Sequence, residues 1–146
     1  MKELVLFYSY SGNTKKAAQK FGEENSCDIC EVLDEKKPGK LAAFIPGIVK
    51  ALKGGGRKIK PLIIINEQSS FQNGVKFEDY GAVNVFAPIW AGHPAPSMNT
   101  ALKMLPGGTK IKLFMVSQSG ESAKDNISKR VQAMGLEIVG YEDIKM

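Results

Sequence analysis

The stretch Val5-Leu6-Phe7-Tyr8-Ser9-Tyr10-Ser11-Gly12-Asn13-Thr14 decides how this chain is built. Leu4 to Tyr8 is an unbroken apolar run, the mark of a strand covered on both faces. A turn of hydroxyl and amide side chains follows at once. Thr14 to Glu24 then carries Ala17, Ala18 and Phe21 at helical spacing, and Asn13 or Thr14 is a good N-cap. A buried strand feeding a helix through a short turn is the opening half of a crossover unit, and crossovers belong to parallel sheets.

The rest of the chain repeats the theme. Asp28 to Leu33 reads as a second, more polar strand nearer an edge. Leu41 to Lys53 shows a helical apolar pattern interrupted at Pro46 and closed by Gly54-Gly55-Gly56. Leu62 to Ile65 is compatible with a short extra strand, and Asn66 to Gly74 is polar and loop-like. Ala82 to Ala87 is a third strand, running into a Pro/Gly-rich segment over 88–94. Ser97 opens a helix with Met98, Ala101, Leu102 and Leu105. Lys112 to Val116 is a fourth strand. Ser122 to Met134 is a helix with Ile127, Val131 and Met134 on one stripe, stopped by Gly135, and Leu136 to Val139 is a fifth strand. Strands and helices alternate without repeat or linker, so residues 1–146 form one α/β domain, with a mainly parallel sheet and helices on both faces. Ligands of such sheets bind beyond the carboxyl ends of the strands, where strand order reverses. Residues 9–14, 88–94 and 117–121 leave those ends.

The first exit offers Ser9, Ser11, Asn13 and Thr14 as donors, with Gly12 for close backbone approach, at the positive end of a helix. One such residue would make an ordinary cap. Four in six residues point to a bound phosphate held without Lys or Arg. The nucleotide signatures G-x-x-x-x-G-K-[ST] and G-x-G-x-x-G opening a helix do not occur.

At this point the residues resemble a family. Residues 5–14 are similar to the first strand and phosphate loop of the flavodoxins, [ST]-x-[ST]-G-N-T after an apolar strand. Pro88-Ile89-Trp90-Ala91-Gly92 resembles the loop that lies against the flavin ring in that family. Ser117-Gln118-Ser119-Gly120 looks like its last flavin-contacting loop. The resemblance implies a short-chain flavodoxin-like fold of five parallel strands in the order 2-1-3-4-5. It also implies FMN as cofactor. Ser9, Tyr10, Ser11, Gly12, Asn13 and Thr14 would hold the phosphate. Pro88, Ile89, Trp90, Ala91, Gly92, Ser117, Gln118, Ser119 and Gly120 would line the ring. His93 adjoins that site, either tuning the flavin or merely solvated. The implied role is electron transfer between redox partners. The alternative is an FMN-dependent NAD(P)H oxidoreductase acting on a quinone or similar acceptor. Loop 117–121 contains no aromatic, so one flavin face is open or covered by another segment. A phosphoacceptor receiver domain is set aside, because Ser9 and Pro88 stand where that family needs acids.

Charge and cysteines complete the reading. The net charge is +5, and residues 36–60 hold eight basic residues and no acid, leaving −3 on the remainder. Lys36, Lys37 and Lys40 fall at the cofactor end, where they suit an acidic redox partner. Lys50 to Lys60 are expected at the far end of the second helix, roughly 15–20 Å away. That split argues against nucleic acid. Cys27 and Cys30 have an odd spacing on a strand and so lie on opposite faces, which disfavours a local disulfide. No metal ligand set and no catalytic residue emerge. The short apolar run at the N-terminus and the lack of any long one lead us to expect a cytoplasmic protein without membrane insertion.

Overall fold

The computed structural model describes residues 2–35, 55–59, 63–65 and 76–146. Its centre is β1 (Glu3–Tyr8), which pairs in parallel on both sides. Leu4, Leu6 and Tyr8 enter one core and Val5 and Phe7 the other, so the apolar run is buried on both faces as expected. One neighbour is β2 (Asp28–Val32); β3 (Ile63–Ile65) adds to its far edge in antiparallel register. The other neighbour is β4 (Ala82–Trp90), which turns into β5 (His93–Pro94). Beyond β4 come β6 (Lys110–Ser117) and β7 (Glu137–Lys145), both parallel. The sheet order is β3-β2-β1-β4-β6-β7. Its five parallel strands follow the expected 2-1-3-4-5 order.

Helix α1 (Asn13–Glu24) covers one face, with Ala17, Ala18 and Phe21 packed on Phe7, Phe86 and Phe114. Phe86 and Phe114 stack at 4.4 Å. Beside α1 this face keeps a groove of about 330 Å³, lined in part by Phe21, Phe86, Phe114 and Ile144. Helices α2 (Pro96–Lys103) and α3 (Lys124–Ala133) cover the other face through Met98, Ala101, Leu102, Ile127 and Val131. The helix expected over Leu41 to Lys53 lies outside the described residues, as do Lys36, Lys37, Lys40 and the polar stretch Asn66 to Gly74.

Several local expectations are corrected. Gly12, not Asn13 or Thr14, is the N-cap residue of α1, with φ 101°. Ser97 does not cap α2, which starts after Ala95 with Pro96 in its first turn; the Ser97 hydroxyl goes instead to Asp34. The fifth strand runs far past Val139, because β7 pairs with β6 along its whole length although its own residues alternate only weakly. Gly135, with φ 82°, follows α3 and turns the chain as expected. Cys30 is buried in the core on the α2 and α3 side of the sheet, Cys27 packs on the α1 side, and they form no disulfide with each other. No described helix is long and apolar enough to cross a membrane.

Candidate functional site at the carboxyl ends of the strands

Strand β1 ends at Tyr8 and the chain turns within four residues into α1. Ser9 makes that turn: its Oγ accepts the Gly12 N–H at 3.0 Å. Gly12 then enters the left-handed region. No neighbour would touch a Cβ there, so it is the backbone angle that calls for glycine. No side chain caps α1. The first N–H groups of a helix have no intrahelical acceptor, and together with the dipole they attract an anion. Ser11 and Asn13 are exposed beside them, whereas Thr14 is buried beneath the turn.

The second exit is a β-hairpin rather than an irregular loop. Trp90 pairs with His93 and Ile89 with Pro94. The two turn residues Ala91 and Gly92 have φ of 50° and 85°, the mirror-image turn that matches strand twist. Trp90 meets Tyr10 of the first loop edge-on, with centroids 5.9 Å apart and planes at 89°. That contact joins the first two exits.

The third exit repeats the device of the first. The Ser117 Oγ accepts the N–H of Gly120 at 3.0 Å, and Gly120 has φ 73°. Ser119 accepts the Glu121 N–H at 3.2 Å. The loop is then tied to its neighbours. The Ala123 N–H donates to the Gly92 carbonyl at 2.8 Å, and the Ser122 hydroxyl donates to Asp143 of β7 at 2.5 Å. Gln118 and Ser119 stay exposed. All three exits thus lie on one end of the sheet, and the first two flank the point where strand order reverses.

His93 departs from the solvated reading. It is 6% exposed, and its Nδ1 lies 3.3 Å from Arg130 Nη1 on α3. Burial first, and the Arg130 charge second, push its pKa down, so the folded state holds a neutral imidazole that accepts from Arg130. The unfolded chain takes up a proton as pH falls through about 6.5, before the folded one does. Stability contributed by neutral His93 is therefore complete above that pH and lost below it. We expect the urea midpoint to drop between pH 7.5 and 5.5, and to drop less in His93→Gln. Equal losses in both proteins would contradict this.

Two features were not read from the sequence. Under the first loop, the Tyr8 hydroxyl donates to Asp34 Oδ2 at 2.6 Å, and Ser97 donates to the other oxygen. Burial, reinforced by Asp34, holds the Tyr8 phenol protonated far above its usual range. The second is Arg57, expected at the distant end of a helix. Residues 58 and 59 instead run antiparallel to 34 and 35: Asp34 bridges Ile59, and the Glu35 N–H donates to the Lys58 carbonyl at 3.1 Å. This brings the Arg57 guanidinium to 5.7 Å from the Trp90 ring centroid. The glycine run preceding it was the available signal. Gly55 and Gly56 lie against α2, where the Gly55 carbonyl accepts from Asn99 at 3.0 Å and a Cβ on Gly56 would collide with Thr100 Oγ1.

Among solved structures, the chain is similar to a flavoprotein from Lactobacillus acidophilus determined in complex with FMN. The two are 23% identical, with a TM-score of 0.69, covering 96% of this chain and 91% of that one. It is also similar to a Streptococcus pneumoniae flavodoxin (12% identity, TM-score 0.53, 100% and 87% covered) and to an archaeal flavodoxin (17%, 0.53, 99% and 85%). The fold is flavodoxin-like. No protein-family model and no curated protein matches the chain. Identities this low speak to architecture, so the assignment of chemistry rests on the residues of this crevice. The flavodoxin-like sheet brings the three strand exits, residues 9–14, 88–94 and 117–121, to one end. Ser9 and Ser117 brace their loops from within, whereas Ser11 and Asn13 stay exposed at the start of α1.

Proposed function

We propose that this protein binds FMN at the carboxyl end of its sheet and serves as a cytoplasmic electron carrier between redox partners. One observation carries the reading. A hydroxyl-rich turn delivers the uncapped start of α1 into the same crevice as an aromatic hairpin, through the Tyr10–Trp90 contact. The donor set fits a phosphate monoester: N–H groups of a helix start with Ser11 and Asn13 beside them. The neighbouring hairpin fits a flat heteroaromatic ring, with Trp90 as apolar surface and main-chain groups of 88–92 and 117–120 for its polar edge. The solved neighbour that carries FMN in the same architecture supports the choice of cofactor. When bound, FMN supplies reversible one- and two-electron transfer. This chain would bind it, orient it and restrict water around it. Lys36, Lys37 and Lys40 would steer an acidic partner towards it.

Titrating the purified protein with FMN tests the binding. Quenching of flavin fluorescence to a one-to-one end point is expected, and absence of quenching would overturn the proposal. A second reading, hydride transfer from NAD(P)H to a small acceptor, is favoured by the lack of an aromatic in 117–121. Mixing the loaded protein with NADPH or NADH alone separates the two. A carrier leaves the flavin absorbance unchanged; rapid bleaching would establish the reductase instead.

A further inference from the structure

The crevice contains a fixed cation that no motif in the sequence announced. Arg57 is held by its main chain: its N–H donates to Thr100 Oγ1 at 2.9 Å, and its carbonyl accepts from the Thr100 hydroxyl at 2.7 Å. The residues after it are anchored by the short ladder to Asp34 and Glu35. These main-chain contacts place the side chain over the Trp90 ring, with the guanidinium 5.7 Å from its centroid. A guanidinium keeps its charge at any working pH and lies readily on an aromatic face. The charge at this position is therefore permanent, and its place is set by the backbone.

We propose that Arg57 sets the charge balance of the site, making it bind the reduced, anionic flavin more tightly than the oxidised one relative to the same site without the cation. The inference rests on the FMN reading above. Two-electron reduction adds one proton and two electrons to the ring, FMN + 2e⁻ + H⁺ → FMNH⁻, so the ring gains one negative charge. The cation attracts the product and is nearly indifferent to the neutral oxidised ring. Only such a difference between states can shift the redox equilibrium. Charges several ångströms apart at a protein surface interact by several times the thermal energy, so a shift of about tenfold in the affinity ratio is expected. For a two-electron couple this corresponds to about 30 mV. Arg57 thereby acquires a function: it places the couple at a higher potential than the same crevice without that cation would.

The test compares wild type, Arg57→Gln and Arg57→Lys, all loaded with FMN. Affinity for oxidised FMN is measured by fluorescence quenching. The two-electron midpoint potential is measured by dithionite titration against an indicator dye. Arg57→Gln is expected to lower the potential by about 30 mV, tenfold in the affinity ratio, with oxidised-FMN affinity within about threefold of wild type. Arg57→Lys is expected to retain most of the wild-type potential. Arg57→Met keeps the aliphatic stem over Trp90 and replaces the glutamine variant should that one be unstable. An unchanged potential in the uncharged variants would overturn the inference while leaving FMN binding intact. An equal fall in Arg57→Gln and Arg57→Lys would show a packing role and overturn it too. Failure of the wild type to bind FMN would remove the functional reading and this inference together.

Discussion

Replacing Gly12 by valine is expected to weaken FMN binding about tenfold or more. Gly12 sits at φ 101° between Ser9 and the first turn of α1. A Cβ in the left-handed region costs about 1–2 kcal/mol, and a β-branched side chain sits at the upper end. The apo variant can relax the turn and shed that strain, releasing the Ser9 Oγ to Gly12 N–H bond as it does so. FMN binding must then restore the turn, and a restoring cost of about 1.4 kcal/mol is tenfold in affinity. Gly107→Ala is the control. That glycine has no left-handed φ, and its Cβ would meet nothing within 4 Å. It should leave both FMN affinity and the urea midpoint unchanged. A Gly12→Val protein that binds FMN as wild type does would show that the turn is not the phosphate site.

Trp90→Ala is expected to cost both stability and cofactor affinity. The ring holds Tyr10 edge-on and carries Arg57 on its surface, so its loss separates the first two exits. An aromatic pair of this kind is worth about 0.5–1.5 kcal/mol beyond its buried area. A partly exposed cation on the ring adds about 0.5–1 kcal/mol. The urea midpoint should fall accordingly. If the ring also lines the flavin site, FMN affinity falls about tenfold as a second, separable effect. Trp90→Phe should recover most of the stability and part of the affinity. Lost stability with unchanged FMN affinity would mean that Trp90 only braces the hairpin. Trp90 is the single tryptophan, so its emission reports on the same contact in every variant that keeps it.

The elements legible in the sequence were those whose pattern is local and strong. Leu4 to Tyr8 had to be a central strand, because nothing else buries five consecutive apolar residues in so short a run. Ala17, Ala18 and Phe21, and likewise Ile127 and Val131, declared their helices by spacing alone. Patterns failed where a partner supplied the order. The weak alternation of Glu137–Lys145 gave no hint of its length, which the long register with β6 imposes. Ser97 looked like a cap from its neighbours, yet a carboxylate 63 positions away, Asp34, takes its hydroxyl. His93 sat in a Pro/Gly-rich loop that reads as exposed. The hairpin folds it inward against Arg130, and burial with that charge pushes its pKa down.

By itself the sequence determined the strand and helix alternation, the parallel sheet that follows from it, and the three exits at which a ligand must be sought. Those are consequences of side-chain periodicity and of residues that start or stop elements, all acting over a few positions. The tertiary structure alone decided how the exits are joined and what charge stands among them. Tyr10 reaches Trp90, and Gly92 reaches Ala123, across gaps in sequence that only sheet order closes. Arg57 arrives at Trp90 because Thr100 and the Asp34–Glu35 segment hold its backbone there. Charge counted along the chain assigned it to a remote helix end. Coulomb interactions depend on distance in space, and that distance is set by packing between segments that no local pattern connects.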